Sequence, residues 1–382
     1  MTLGALMAAT LAVGLQTQDR IREQLPNGSR VLVQRVVDRD DFALTLAIGF
    51  ENVPETAESH GLRHLLEHLI ADSDGTLDRD LERAGCTLTA FTTRDGTSFT
   101  ISGPADQLPR AFASLEKLVQ PTSISEERIA RELVILAEEE AVRPVWARFL
   151  DAAMDAAYGS ASLNPFGNLE VMSKLSVDQV RSAQSRFWGS GAVSLVVEGG
   201  IDPGATMTRA RQFLGRLPNL PRADDPGLSL QPRARRAVGG RGAARAVPVD
   251  GLDDPRTVAT IAAALALRRN LPGSVVVYEP ALQPGVVLLW TPDAPQLMEI
   301  ERFDRDDRAR LTAEGLLLAD AWARGLRGSP EQSTMREAMF LLRRPGFTFR
   351  DVEELALGLT AERVQTALDS FGAEQAWEVM GR

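Results

Sequence analysis

The sequence predicts an α+β fold of two related domains, each an α/β-sandwich-like unit in which helices cover a sheet. Three observations carry that expectation. Short apolar or alternating runs of strand length are interleaved with longer stretches whose apolar residues recur every three to four positions, the patterns of strands and amphipathic helices. The chain has 382 residues, more than one core usually fills at roughly 100 to 200 residues per domain. A stretch rich in proline and arginine interrupts it past the midpoint, and the mixture of strands and helices that precedes this stretch returns after it without detectable sequence repetition.

Residues 1–20 read as a leader. Residues 1–18 carry no charged side chain, and the apolar run from Leu3 to Leu15 is too short to span a bilayer but suits the core of an export signal, with the small residues Ala12 and Gly14 near its end. The basic residue that normally precedes such a core is missing, so the alternative is a disordered leader. Export implies an extracytoplasmic protein, periplasmic or secreted; without it the protein is cytoplasmic.

The first domain covers residues 21–216. The Asn27-Gly28 turn precedes the apolar run Val31, Leu32, Val33, and residues 42–50 form a strand apolar on both faces. Residues 59–71 follow as a helix with Ser59 as its N-cap. Residues 87–92 and 97–102 alternate on either side of Arg94-Asp95-Gly96 and make a hairpin. Helical patterns occupy residues 107–119, 126–142, 145–157 and 177–188, and residues 192–198 are a short strand of the buried type.

Residues 217–246 read as a linker, with Pro218, Pro221, Pro226 and Pro232 followed by Arg233, Arg235, Arg236, Arg241 and Arg245 among glycines and alanines. No aromatic residue is interleaved with these arginines, so the run is a solvated one rather than a nucleic-acid site. Residues 244–249 read as a strand leading into the second domain, residues 247–382, which holds a helix at 255–269, strands at 274–278 and 286–291, and helices at 308–326, 333–342 and 361–377.

Composition narrows the function. With 44% hydrophobic and 25% charged residues the chain is a soluble globular protein without an integral membrane segment. Its 42 basic against 52 acidic residues, a net charge of -10, exclude general binding to nucleic acid or anionic membranes, which needs a basic surface. One cysteine, Cys86, excludes an internal disulfide framework and a Cys-rich zinc site, and reads as a small buried residue rather than a nucleophile.

The three histidines, His60, His64 and His68, all fall in one short segment. On a helix His68 is rotated about 40° from His64, and Glu67 about 60° the other way, so the three side chains project from one side while Leu65, Leu66 and Leu69 anchor the other. Two imidazoles at this spacing can chelate one tetrahedral cation, and zinc suits neutral imidazole nitrogen. Glu67 is placed to act as a general base. A catalytic zinc needs a third ligand. His60, in the first turn after Ser59, fits a solvent-facing role, which leaves a carboxylate from the helix ending in Glu138-Glu139-Glu140. Periodicity does not choose between Glu138, on a face with Val134 and Ile135, and Glu140, on a face with Leu133 and Leu136.

At this point the sequence resembles the insulinase/pitrilysin family of inverted-motif zinc metallopeptidases, which includes the mitochondrial processing peptidases. The likeness covers the opening strand Leu25-Pro-Asn-Gly-Ser-Arg-Val-Leu-Val, the helix Gly61-Leu-Arg-His-Leu-Leu-Glu-His, the strand Gly85-Cys-Thr-Leu-Thr-Ala-Phe-Thr-Thr-Arg-Asp, the segment Arg131-Glu-Leu-Val-Ile-Leu-Ala-Glu, and Asn164-Pro-Phe-Gly. It is good from about Leu25 to Gly204 and architectural afterwards. It implies half of a clamshell, a Zn2+ ion held by His64, His68 and Glu138, and Glu67 as the catalytic base. It also implies a substrate strand in which Thr89, Ala90 and Phe91 meet an extended peptide by β-addition, although packing is an alternative role for Phe91.

Three features depart from the family pattern. Thr89 stands where relatives usually have Asn, and Arg131 where an acidic residue is common. The second domain lacks a clear Arg and Tyr pair for the oxyanion, Arg268, Arg269 and Tyr278 being the nearest candidates. In relatives of this size two chains enclose a chamber, so a partner is implied, either a second copy in a homodimer or a sibling chain in a heterodimer. The expected function is a zinc endopeptidase acting on short or unfolded peptides. The alternative is an inactive scaffold or peptide-binding member of the family, acting with a partner chain.

Overall fold

A computed structural model of the chain describes residues 19–71, 76–159, 162–221, 223–225 and 227–382; the apolar run expected to serve as an export signal lies outside them. Strands β1 (Arg20–Gln24), β2 (Arg30–Arg35), β3 (Asp41–Gly49), β4 (Thr87–Thr92), β5 (Gly96–Pro104) and β6 (Val193–Gly199) form a sheet in the order β1-β2-β6-β3-β5-β4. All its pairings are antiparallel except β2 with β6. The same stretch of chain contains helices α1 (Leu62–Ala71), α2 (Leu77–Glu82), α3 (Leu108–Leu118), α4 (Glu126–Val142), α5 (Val145–Tyr158), α6 (Leu169–Met172), α7 (Val177–Phe187) and α8 (Pro203–Leu214).

Strand β3 lies inside the sheet and is buried from Phe42 to Gly49, as a strand apolar on both faces must be. On one face Phe42, Leu44, Leu46 and Ile48 share a core with Leu65 and Leu69 of α1, Phe112 of α3, Phe187 of α7 and Phe213 of α8.

The second sheet runs β7-β11-β8-β10-β9, from β7 (Arg235–Val238), β8 (Ala243–Val249), β9 (Val275–Val277), β10 (Gly285–Thr291) and β11 (Trp377–Gly381). Helices α9 (Pro255–Asn270), α10 (Arg305–Gly325), α11 (Pro330–Arg343), α12 (Phe349–Leu357) and α13 (Ala361–Ser370) belong to this half.

Each half lends a helix to the other's sheet. Helix α11 buries Ala338, Met339, Leu341 and Leu342 against Leu32, Ala47 and Val196 on the second face of the first sheet. Ser194 Oγ donates to Ala338 O at 2.7 Å, and Thr45 Oγ1 to Thr334 Oγ1 at 3.0 Å, so the polar groups between the layers are satisfied. Reciprocally, Phe149, Ala153, Ala157 and Tyr158 of α5 pack on Ala244, Ala246, Leu288 and Val379 of the second sheet. At roughly 1.5 to 3 kcal/mol per large apolar side chain buried, this exchange joins the halves into one body.

Three local expectations change. Arg235–Val238 is a strand, although it falls in the Pro- and Arg-rich stretch expected as linker, whereas Ala243–Val249 is the strand expected at 244–249. Strand β7 tolerates arginines because it is an edge strand, where charge also discourages further pairing; Arg235 pairs with Glu378 at 2.7 Å and Arg236 with Asp155 at 3.4 Å. The last helix stops at Ser370, and Trp377–Gly381 is a strand that buries Trp377 and Val379 alternately. Ser59 does not cap α1: its hydroxyl accepts from Thr56 N at 2.9 Å in a capping box one turn earlier.

Candidate functional site

Helix α1 is anchored by Leu62, Leu65, Leu66, Leu69 and Ile70, all buried. A carboxylate performs the capping expected of Ser59: Glu55 Oε1 accepts from Gly61 N at 3.1 Å and Arg63 N at 2.8 Å, while its Oε2 meets Arg63 Nη2 at 3.3 Å. The loop carrying Asn164-Pro165-Phe166-Gly167 crosses the start of the helix. Gly61 and Gly167 touch there, since a Cβ on Gly167 would lie 2.3 Å from Gly61 Cα, and both have positive φ, 99° and 94°.

That loop orients two of the histidines. His60 Nε2–H donates to Asn164 O and His64 Nδ1–H to Phe166 O, each at 2.9 Å. A carbonyl only accepts, so His64 carries its proton on Nδ1 and keeps its Nε2 lone pair for a ligand. His60 is occupied as a latch to the loop rather than left facing solvent. The Phe166 ring packs edge-on to His64, 5.0 Å between centroids, with the Arg143 guanidinium 4.9 Å from its centroid.

His64 and His68 lie with ring centroids 4.9 Å apart, and one ligand atom from each of His64, Glu67 and His68 falls within 4.8 Å of the others. Helix α4 supplies two carboxylates. Glu132, buried, places Oε2 3.6 Å from His68 Nδ1. Glu139 places Oε2 3.6 Å from His64 Nε2 and Oε1 3.6 Å from His68 Nε2. Glu132 and Glu139 are two helical turns apart and share a face. Glu138, the expected third ligand, is exposed one position round the helix.

These donors fit a zinc ion. Ligand bonds of about 2.1 Å in a tetrahedron place neighbouring donors about 3.4 Å apart, close to the 3.6 Å between Glu139 and each Nε2. Both histidines are held below the usual imidazole range, chiefly by burial and against the hydrogen bond to Phe166 for His64 and the Glu132 charge for His68. Neutral imidazole is the ligating form. Glu67 is buried, and burial pushes its carboxyl up to about 7 against the opposing hydrogen bond from Thr92 Oγ1, 2.6 Å from Glu67 Oε2.

Strand β4 is the outer strand of its sheet and packs beside α1. Thr89 and Phe91 are exposed, and Phe91 is 53% accessible, so it does not pack in the core; Ala90 turns inward. Of the oxyanion candidates, Arg268 and Arg269 are exposed at the end of α9, and the Tyr278 hydroxyl donates to Ala281 O at 3.4 Å. Cys86 is buried under Gly103 and offers no accessible thiol.

Sequence reasoning missed Glu139, Glu132, Thr92 and Phe166. The seven-residue spacing of Glu132 and Glu139, two helical turns, was the available signal; each lies one residue beyond the position the resemblance singled out, Arg131 and Glu138.

Residues 30–165 match the family model of insulinase (peptidase family M16). Curated relatives include human mitochondrial cytochrome b-c1 complex subunit 1, 27% identical over 175 residues, which are 43% of this chain and 36% of that protein. The uncharacterized zinc protease YmfH of Bacillus subtilis is 24% identical over 164 residues, 41% of this chain and 38% of that protein. The β subunit of the mitochondrial-processing peptidase of Saccharomyces cerevisiae is 21% identical over 207 residues, 51% and 44% of the two chains. The matched stretches span less than half the length of these relatives. Among solved structures, a protease from Helicobacter pylori superposes with a TM-score of 0.78 at 15% identity, covering 94% of this chain and 98% of that one. A peptidase M16 inactive domain from Pseudomonas fluorescens gives 0.73 at 15% identity, with 94% and 97% covered. The family resemblance and the fold class expected from the sequence are both borne out, the second along nearly the whole chain.

Proposed function

We propose that this chain, a member of the insulinase family (peptidase family M16) through residues 30–165, is a zinc-dependent endopeptidase for short or unfolded peptides. His64, His68 and Glu139 hold the metal, Glu139 taking the place expected of Glu138, and Glu67 is the general base. The observation that carries this reading is the Glu139 carboxylate lying 3.6 Å from the Nε2 atoms of both histidines. When bound, zinc supplies Lewis acidity toward a water and the scissile carbonyl. Glu67, poised near neutrality by burial, takes the proton of the attacking water and passes it to the leaving amine. The free edge of β4 aligns an extended peptide by β-addition, with Thr89, Ala90 and Phe91 along the pairing strand.

The solvent exposure of Arg268 and Arg269 at the end of α9 and the bond of the Tyr278 hydroxyl to Ala281 O support a partner chain, a second copy or a sibling, as the source of oxyanion donors. The extracytoplasmic location expected from the leader belongs to the same reading; among the described residues no helix is long and apolar enough to cross a membrane. The same two observations favour, as a second reading, a peptide-binding scaffold without turnover.

Metal analysis of the purified protein, with cleavage of an unstructured peptide by wild type and Glu67→Gln in the presence of the partner chain, separates the two. The peptidase reading expects one zinc per chain and a loss of at least 100-fold in turnover in the variant. Stoichiometric zinc with peptide binding but no wild-type cleavage would leave the scaffold.

A further inference from the structure

We propose that Thr92 is a positioning residue for the base, so that the strand aligning the peptide also aims Glu67; this rests on the peptidase reading. Thr92 and Thr97 face each other across the β4–β5 pair, the last cross-strand pair before Thr93 and the hairpin tip. Their hydroxyl oxygens are 3.1 Å apart, and Thr92 Oγ1 lies 2.6 Å from Glu67 Oε2. A hydroxyl has one proton to give. Thr92 gives its proton to the carboxylate, so Thr97 must donate to Thr92, and the hydrogen bonds run Thr97 to Thr92 to Glu67.

The chain of bonds acts through geometry. Fixing Oε2 fixes the carboxylate plane and with it the direction of Oε1. Glu67 has no salt-bridge partner among the described residues, and on α1 it is grouped with His64 and His68, its ligand atom within 4.8 Å of theirs. The inward side chain of Thr92 lies on the strand whose outward residues, Thr89 and Phe91, are exposed. Peptide pairing along β4 therefore bears on a backbone that reaches the base through one side-chain bond. A valine at position 92 keeps the shape and β propensity while deleting the donor.

Thr92→Val is expected to lower kcat by roughly 10- to 100-fold, the usual size of an orienting hydrogen bond's effect, with KM and zinc content unchanged. Thr92→Ser restores the donor and is expected to bring kcat back to within a few-fold of wild type. Thr97→Val, which leaves Thr92 in place, gives a smaller loss and serves if Thr92→Val does not fold. A crystal structure of metal-free Thr92→Val gives a readout besides activity: Glu67 is expected in a rotamer turned away from the histidines. Wild-type kcat in Thr92→Val, a Thr92→Ser variant as slow as Thr92→Val, or an unmoved Glu67 would overturn the proposal. Absence of cleavage by the wild type removes the peptidase reading instead, and the Glu67 rotamer still decides the positioning role.

Discussion

Arg94, at the tip of the β4–β5 hairpin, is gripped by one carboxylate of the second half of the chain: its backbone N–H donates to Glu279 Oε1 at 3.1 Å and its Nε to Glu279 Oε2 at 3.2 Å. Nη1 donates to Pro284 O at 2.5 Å, and Gly285 leaves room for the guanidinium, since a Cβ there would lie 2.6 Å from Nη2. The Arg94 side chain is 8% exposed and that of Glu279 28%. Replacing Glu279 by Ala strands a buried cation while part of the lost charge was already hydrated. The expected loss is therefore about 2 to 4 kcal/mol, somewhat below a fully buried pair. A urea titration reads it as a lower midpoint at constant slope. A change within about 0.5 kcal/mol, as at ordinary surface sites, would mean that the hairpin tip is not locked by this pair.

Zinc binding should separate the two adjacent glutamates. Glu139 faces both Nε2 atoms, whereas Glu138 is exposed. Glu139→Gln is expected to weaken zinc affinity by at least 100-fold, as loss of a charged ligand, and Glu138→Gln to leave it within about 2-fold. Competition against a chromophoric chelator measures both. Equal losses in the two variants would refute the assignment of Glu139.

That pair also marks where the sequence stopped being legible. The His64, Glu67, His68 set was readable because all its members lie on one helix, where spacing alone fixes the faces. The carboxylate that faces both histidines comes from another helix, and one residue of uncertainty there is a rotation of about 100°. The burial of Ile129, Glu132 and Leu136 along one side of α4 fixes it. The double-faced burial of β3 was readable from its composition, but its cover, α11, lies nearly 300 residues away in sequence, and no local pattern encodes that exchange. Strands β7 and β11 escaped for a related reason: each is short, and their pairing partners decide their state more than their own residues do.

Glu132 should act on the metal through His68. Its Oε2 is 3.6 Å from His68 Nδ1 and its side chain is 1% exposed, so it fixes the ring whose Nε2 faces Glu139. Glu132→Gln keeps the volume and removes the charge. Zinc affinity is expected to fall by about 10- to 100-fold, the range for outer hydrogen-bond partners of ligating histidines, with folding intact by circular dichroism. Unchanged affinity in a folded variant would show that His68 needs no such support.

Asp95, beside Arg94, makes stability pH-dependent outside the metal site. Burial is the largest influence on its carboxyl and, with the like charge of Glu279, pushes it up to about 6 from 3.8, against Arg343 and Arg94 and the Leu282 N–H. Its Oδ2 accepts from Leu282 N at 3.2 Å and its Oδ1 lies 3.9 Å from Arg343 Nε. A folded-state value above the unfolded one means that the folded form holds the proton more tightly. The favourable contribution is thus complete below about pH 4 and is lost as pH rises through 6. A shift of this size is worth about 3 kcal/mol. Asp95→Asn can still accept from Leu282 N but does not ionise. Between pH 4 and pH 6 its unfolding free energy, relative to wild type, is expected to move by about 2 kcal/mol in favour of the variant, the rest of the change falling outside that window. Denaturant titrations of both proteins across that window test this, and parallel pH profiles would show that Asp95 titrates as it does in the unfolded chain.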